Sequence, residues 1–262
     1  MAGELGQIAT MRSAGTRLCS PRLGLWVRVT ISHSWEPGMS SYVIWKYAHL
    51  LMFVFWVGTD MGVFLAARRC TDPKLSFATR VTLLHMALRI ELLPRTMWKA
   101  ALPFGVMLSR DMGLLPISSG MLVAVWVFSI GWWAISMTGA WFYDKSFGHR
   151  LGRITNVLTL LVGSCLIALA LSSAAGYGPI AADAGWLQLK VGLYGLINLF
   201  VVWMIVAFDP LGAAFGRLAV EGSQPEIESI ISQTMNRSTL IIWATYVLIV
   251  VVGFIGTTKL AG

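Results

Sequence analysis

Three ionisable side chains, Lys46, His49 and Asp60, interrupt the apolar stretch YVIWKYAHLLMFVFWVGTD at residues 42–60. On a helix His49, Trp56 and Asp60 share one face, because they are 7 and 11 residues apart, and Lys46 lies one turn before His49. Charged groups in hydrocarbon are costly unless paired or hydrated, so each one is a functional hypothesis. Lys46 stands near the end of the stretch, where it either anchors the helix by snorkelling or faces a bound ligand. A neutral imidazole such as that of His49 can ligate iron, relay a proton or hydrogen-bond a neighbouring helix. Asp60 lies deeper and needs a cation, a proton or a polar cavity.

Three further groups carry chemistry. In LRIELLPRTMWK, residues 88–99, Glu91, Arg95 and Lys99 follow an i, i+4, i+8 pattern with Arg89 close by. This pattern describes either a membrane-surface helix with an internal salt bridge or a basic mouth for a carboxylate or phosphate. Lys190, in WLQLKVGL with Gln188 beside it, either snorkels outward or meets an anionic substrate group. Asp209-Pro210, with Arg217 beyond it, reads as the end of a span and a turn. His85 falls on the opposite side of the membrane from His49, and His33 and His149 fall outside the spans. A haem bound by His49 would therefore take a methionine, a lysine, water or nothing as its second ligand.

The elements that must position these residues are membrane helices. The 262 residues are 56% hydrophobic and 12% charged, with 12 Trp and 13 Met. Soluble domains average about 25% charged residues. Apolar runs near 20 residues recur, and the short alternating segments of a membrane barrel are absent. The fold expected is all-α, a polytopic helical bundle with about six transmembrane spans near 42–67, 96–116, 119–143, 154–174, 186–208 and 239–258. Residues 70–95 form a basic, partly helical connection, and Pro103 kinks the second span. Gly131, Gly139, Gly163, Gly192 and Gly195 allow close helix packing.

Net charge is +8. The basic residues fall in the connections after spans one, three and five, which sets topology by the positive-inside rule and argues for a membrane-lipid setting rather than nucleic acid. Both ends of the bundle then face away from the cytoplasm. Cys19, Cys70 and Cys165 lie too far apart for a zinc or disulfide pattern. Residues 1–38, rich in Arg, Ser and Gly, read as a disordered or mis-started extension ahead of a single bundle domain at 39–262.

YVIWKYAHLLMFVFWVG (42–58), ahead of Arg68-Arg69, resembles the opening helix of the membrane protoporphyrinogen IX oxidase family (HemJ type). GWLQLKVGL (185–193) looks like that family's Trp-Leu-His-x-Lys-Leu segment. NRSTLIIWATYVLIVVVGFIGTTK (236–259) is similar to its last helix, and RIELLPRTMWKAALPFGVML (89–108) to its second. Copper-resistance D-type bundles share the opening pattern. Trp56-Val-Gly58-Thr-Asp60 resembles bacterial integral membrane proteins whose first helix carries Trp-x-Gly-x-Asp.

The resemblance implies a bundle holding haem b, with His49 as iron ligand and Lys190 important for porphyrin chemistry. The sequence departs from the family where Arg68-Arg69 replaces its second histidine, where Gln188 replaces the histidine before the lysine, and in an apparent insertion of spans three and four. The function expected is that of a multi-pass protein of the bacterial inner membrane, binding haem or a porphyrin and acting as a haem-dependent oxidoreductase. Lys190 or Arg95 would pair a propionate and Asp60 would relay a proton. A quinone and a second copy of the chain are further expected partners. The alternatives are a metal-ion or proton transporter using Asp60 and His49, and a non-catalytic anchor or assembly partner of a redox complex.

Overall fold

The computed structural model describes residues 37–259. The extension expected over 1–38 lies outside the described residues, apart from Pro37 and Gly38 at the start of the first helix. Among the described residues the regular structure is helical throughout: α1 (Pro37–Cys70), α2 (Phe77–Ile90), α3 (Leu92–Asp111), α4 (Ser119–Trp141), α5 (Ser146–Ala174), α6 (Gly185–Glu221) and α7 (Pro225–Thr258). The protein is an all-α helical bundle. Five helices, α1, α4, α5, α6 and α7, are long and apolar enough to cross a membrane, as a multi-pass integral membrane protein requires. The span expected near 96–116 corresponds to α3, which runs among these five but is not apolar enough to count with them.

Six of the helices close into a ring in which each packs antiparallel to the next. α1 meets α3 where the rings of Trp45 and Phe104 lie 5.5 Å apart. α3 meets α4 through Trp98 and Trp132, again at 5.5 Å. α4 meets α5 at Gly139, where an added Cβ would sit 3.1 Å from the backbone nitrogen of Gly152. α5 meets α6 at Gly163 and Gly195, whose backbones approach so closely that a Cβ on Gly163 would stand 2.8 Å from the Gly195 carbonyl oxygen. α6 and α7 share a core of Leu211, Ala214, Phe215, Ile227 and Ile231, and α7 returns to α1 through Phe64 and Trp243. Gly131 has open space around it and packs no helix closely.

The helix ends follow local chemistry. Ser76 and Ser118 cap α2 and α4 by accepting from the backbone N–H three residues on. α2 and α3 are separated by Glu91 alone, in helical conformation. Pro94 has no N–H to offer the Ile90 carbonyl, which explains a break in the ladder there. Pro210 does not end a helix, contrary to the turn expected at Asp209-Pro210. α6 runs through it to Glu221, where Gly222 closes it at φ 73°. α7 begins at Pro225, well before its apolar segment near 239, and this polar lead-in packs against α2 and the end of α6.

At that end of the ring α2 folds back along α1. Arg80 is buried there, donating from Nε to the Cys70 carbonyl at 2.9 Å. It also holds Glu228 of α7 through both guanidinium nitrogens, at 2.6 and 3.0 Å. Arg89 stacks over Trp141 at 4.2 Å. Arg68, Arg69, Lys145, Arg150, Arg153 and Arg217 stand at the same end, so charge asymmetry in the sequence becomes a basic face of the bundle.

Candidate functional site

Asp60 faces the interior of the ring from α1, two-thirds of the way toward the basic end. It lines a cavity of about 40 Å³ with Trp56, Glu91, Arg95, Trp98 and Tyr246. A water needs roughly 10–15 Å³ by this measure, so the cavity holds about three. Thr245 and apolar residues of α6 and α7 complete the wall. Among the described residues Asp60 forms no ion pair. Arg95 is committed to Glu91, one turn earlier, at 2.6 Å, and reaches Ser136 of α4 at 3.3 Å. The buried Tyr246 hydroxyl is near enough to act on the Asp60 carboxylate as a hydrogen-bond donor, although among the described residues it closes no bond of standard geometry. A carboxylate, an acid–guanidinium pair and a phenol thus meet around a cavity with room for a few waters inside a membrane helix bundle.

His49 stands 11 residues earlier on α1, about 16 Å along the helix axis. Its Nδ1 is buried and has no hydrogen-bond partner among the described residues. α3 approaches through Gly105, where a Cβ would lie 3.5 Å from the imidazole Cε1. Lys190 of α6 is near enough for its charge to act on His49, and its ammonium lies against Gly256 of α7. His49 and Lys190 therefore form one basic pair in the half of the bundle away from Asp60. Lys46 is not part of it. Its side chain is exposed and lies 5.8 Å over the Tyr42 ring. Gln188 donates to the Ala181 carbonyl at 3.0 Å and so serves the loop before α6. His85 is exposed beside Tyr143 at the basic end, far from His49.

The residue pattern 91–95–99 divides in two. Glu91 and Arg95 belong to the cavity, whereas Lys99 is 1% exposed. Its ammonium sits 3.8 Å from the centroid of Trp98 and 4.8 Å from that of Trp132, with no hydrogen bond among the described residues. Two indole faces solvate it in place of water. Ser129 on α4, Thr155 on α5 and Asn198 on α6 each bury an oxygen without a partner as well. This interior polarity was not legible from the sequence, since isolated Ser, Thr and Asn in apolar helices are ordinary. The clue at Lys99 was its indole neighbour Trp98.

A haem finds one feature it needs here and lacks another. His49 offers an unengaged imidazole nitrogen, sufficient for one axial ligand. Ligand pockets for molecules of that class span about 300–1,000 Å³, so the Asp60 cavity holds water and not a macrocycle. Arg95 stands at that cavity, in its pair with Glu91, and not beside His49. Among the described residues no group of three or more His, Cys, Asp or Glu side chains is arranged to hold a metal ion. Compared with family models, curated proteins and solved structures, the chain matches none.

Proposed function

We propose that this integral membrane protein conducts protons through its helix ring, with Asp60 as the central relay. The observation that carries the reading is the Asp60 carboxylate, unpaired on a membrane helix and facing a water-sized cavity shared with Tyr246 and the Glu91–Arg95 pair. An acid in that setting can take a proton from one water and release it to another, with the hydroxyl of Tyr246 oriented by the charge. His49 and Lys190 supply the titratable groups nearer the opposite face. Glu91 leads from the cavity toward the basic end. By the positive-inside rule that end is cytoplasmic, and the setting proposed is a bacterial inner membrane.

The test is proton flux into proteoliposomes under an imposed potential, read with an internal pH dye. Wild-type protein should acidify the lumen, Asp60→Asn should fall to the level of empty liposomes, and Asp60→Glu should recover part of the flux. Equal flux from wild-type and Asp60→Asn protein would overturn the reading.

A second reading rests on the unengaged Nδ1 of His49. Haem b or a porphyrin would bind with His49 as ligand and Lys190 near a propionate, at a site separate from the Asp60 cavity. Protein expressed with haem supplied should then show a Soret band that His49→Ala removes and Asp60→Asn leaves intact. A wild-type spectrum without that band would dispose of it.

A further inference from the structure

At the basic end, the last turn of α1 and the turn after it face the polar lead-in of α7 across a concavity of about 440 Å³. Arg68 and Thr71 lie on one side, and Ser229, Ser232 and Asn236 on the other. The last three recur at i, i+3 and i+7, so α7 presents one hydroxyl- and amide-bearing face. Met235 forms part of the floor.

The charges of this concavity can be accounted for individually. Asp72 accepts from Arg69 at 2.7 Å and from the Lys74 backbone N–H at 2.9 Å. Glu228 is held by Arg80 at 2.6 and 3.0 Å and accepts from Ser223 at 2.8 Å. Both carboxylates are thereby neutralised. Arg68 carries the remaining charge and forms no ion pair among the described residues. A cation finds no unsatisfied acid here, and an apolar ligand would strip water from hydroxyls without replacing their hydrogen bonds. A phosphate suits all the groups present, because guanidinium donates to two oxygens at once while Ser and Asn donors meet the others.

We propose that this concavity binds the phosphate of a phosphate-bearing ligand, with Arg68 as the charged contact and the Ser229–Ser232–Asn236 face as the neutral one. The phosphate belongs either to a phospholipid headgroup or to a soluble phosphate ester. The site stands apart from Asp60 and does not depend on proton conduction.

The experiment uses the full-length, delipidated protein in a non-ionic detergent. Binding of short-chain phosphatidylglycerol is followed by native mass spectrometry, and binding of glycerol 3-phosphate by calorimetry. At least one should bind one-to-one, weaken tenfold or more in Arg68→Gln, and stay unchanged in Arg217→Gln, a cation of the same face outside the concavity. Binding of the lipid alone assigns the headgroup, and binding of glycerol 3-phosphate assigns the soluble ester. Ser232→Leu, at an exposed position, should weaken the same ligand. No binding by either probe would overturn the proposal. So would binding that Arg68→Gln leaves intact, or that Arg217→Gln weakens equally.

Discussion

Arg80 and Glu228, 148 residues apart in the chain, are joined by a two-pronged ion pair that fastens α2 to the start of α7. The guanidinium is 2% exposed, and Phe215 of α6 lies 5.4 Å beneath it. With the Cys70 carbonyl of α1, four helices therefore meet on one side chain. Removing it leaves Glu228 uncompensated and the Cys70 carbonyl without its donor. We expect Arg80→Ala to cost about 3–5 kcal/mol, measured as denaturant unfolding in detergent. The paired change Arg80→Met with Glu228→Leu should return most of that loss, because no charge is then left buried alone.

The contact between α5 and α6 makes a sharper demand on volume. Gly163→Ala would place a methyl group 2.8 Å from the Gly195 carbonyl oxygen and 2.9 Å from the Asn198 Cβ. Overpacking of this kind costs about 1–3 kcal/mol. Gly131→Ala, with nothing near its Cβ, should change thermal stability little by comparison. Melting curves of the two variants side by side check the contrast.

Lys99 offers a test of an opposite sign. Its ammonium has no hydrogen bond and is covered by two indoles. Lys99→Met keeps similar volume and removes the cost of burying a charge, so the variant should fold and melt at or above the wild-type temperature. Tryptophan emission should shift as the cation leaves the faces of Trp98 and Trp132. A large fall in stability would show that the ammonium holds a partner such as a water.

Around the cavity, the variants should rank. Asp60→Asn removes the proton carrier and should abolish flux, whereas Tyr246→Phe removes only a hydroxyl that acts on that carboxylate as a donor. Tyr246→Phe should slow flux without abolishing it. The reverse order in the liposome assay would make the phenol, and not the carboxylate, the main carrier.

The helices were legible in the sequence because apolar runs and basic connections are local signals. The common face of His49, Trp56 and Asp60 followed from helical spacing alone, although Lys46 escaped it by turning outward onto Tyr42. What the sequence concealed came from contacts between distant segments. Lys99 reads as one more charge on a surface helix until Trp132, on the next helix, covers it. Asp209-Pro210 reads as an ending, yet α6 passes through Pro210 because Leu211, Ala214 and Phe215 still have α7 to pack against. The Asp60 cavity draws its walls from α1, α3, α6 and α7, and no single stretch announces it.

The modest apolarity of α3 bears on how the chain is made. A helix that brings Lys99 near its middle to a translocon carries an insertion penalty of up to about 2.5–3.5 kcal/mol for that charge, and Arg95 in its first turn adds less. It does not enter lipid readily by itself. Its neighbour α4, joined by the short 112–118 connection, holds both the Trp132 face that receives Lys99 and the Ser136 hydroxyl that receives Arg95. We therefore expect α3 to enter the bilayer only together with α4, as a hairpin, and glycosylation mapping of nascent chains truncated before and after Ser136 should show α3 inserting only in the longer ones.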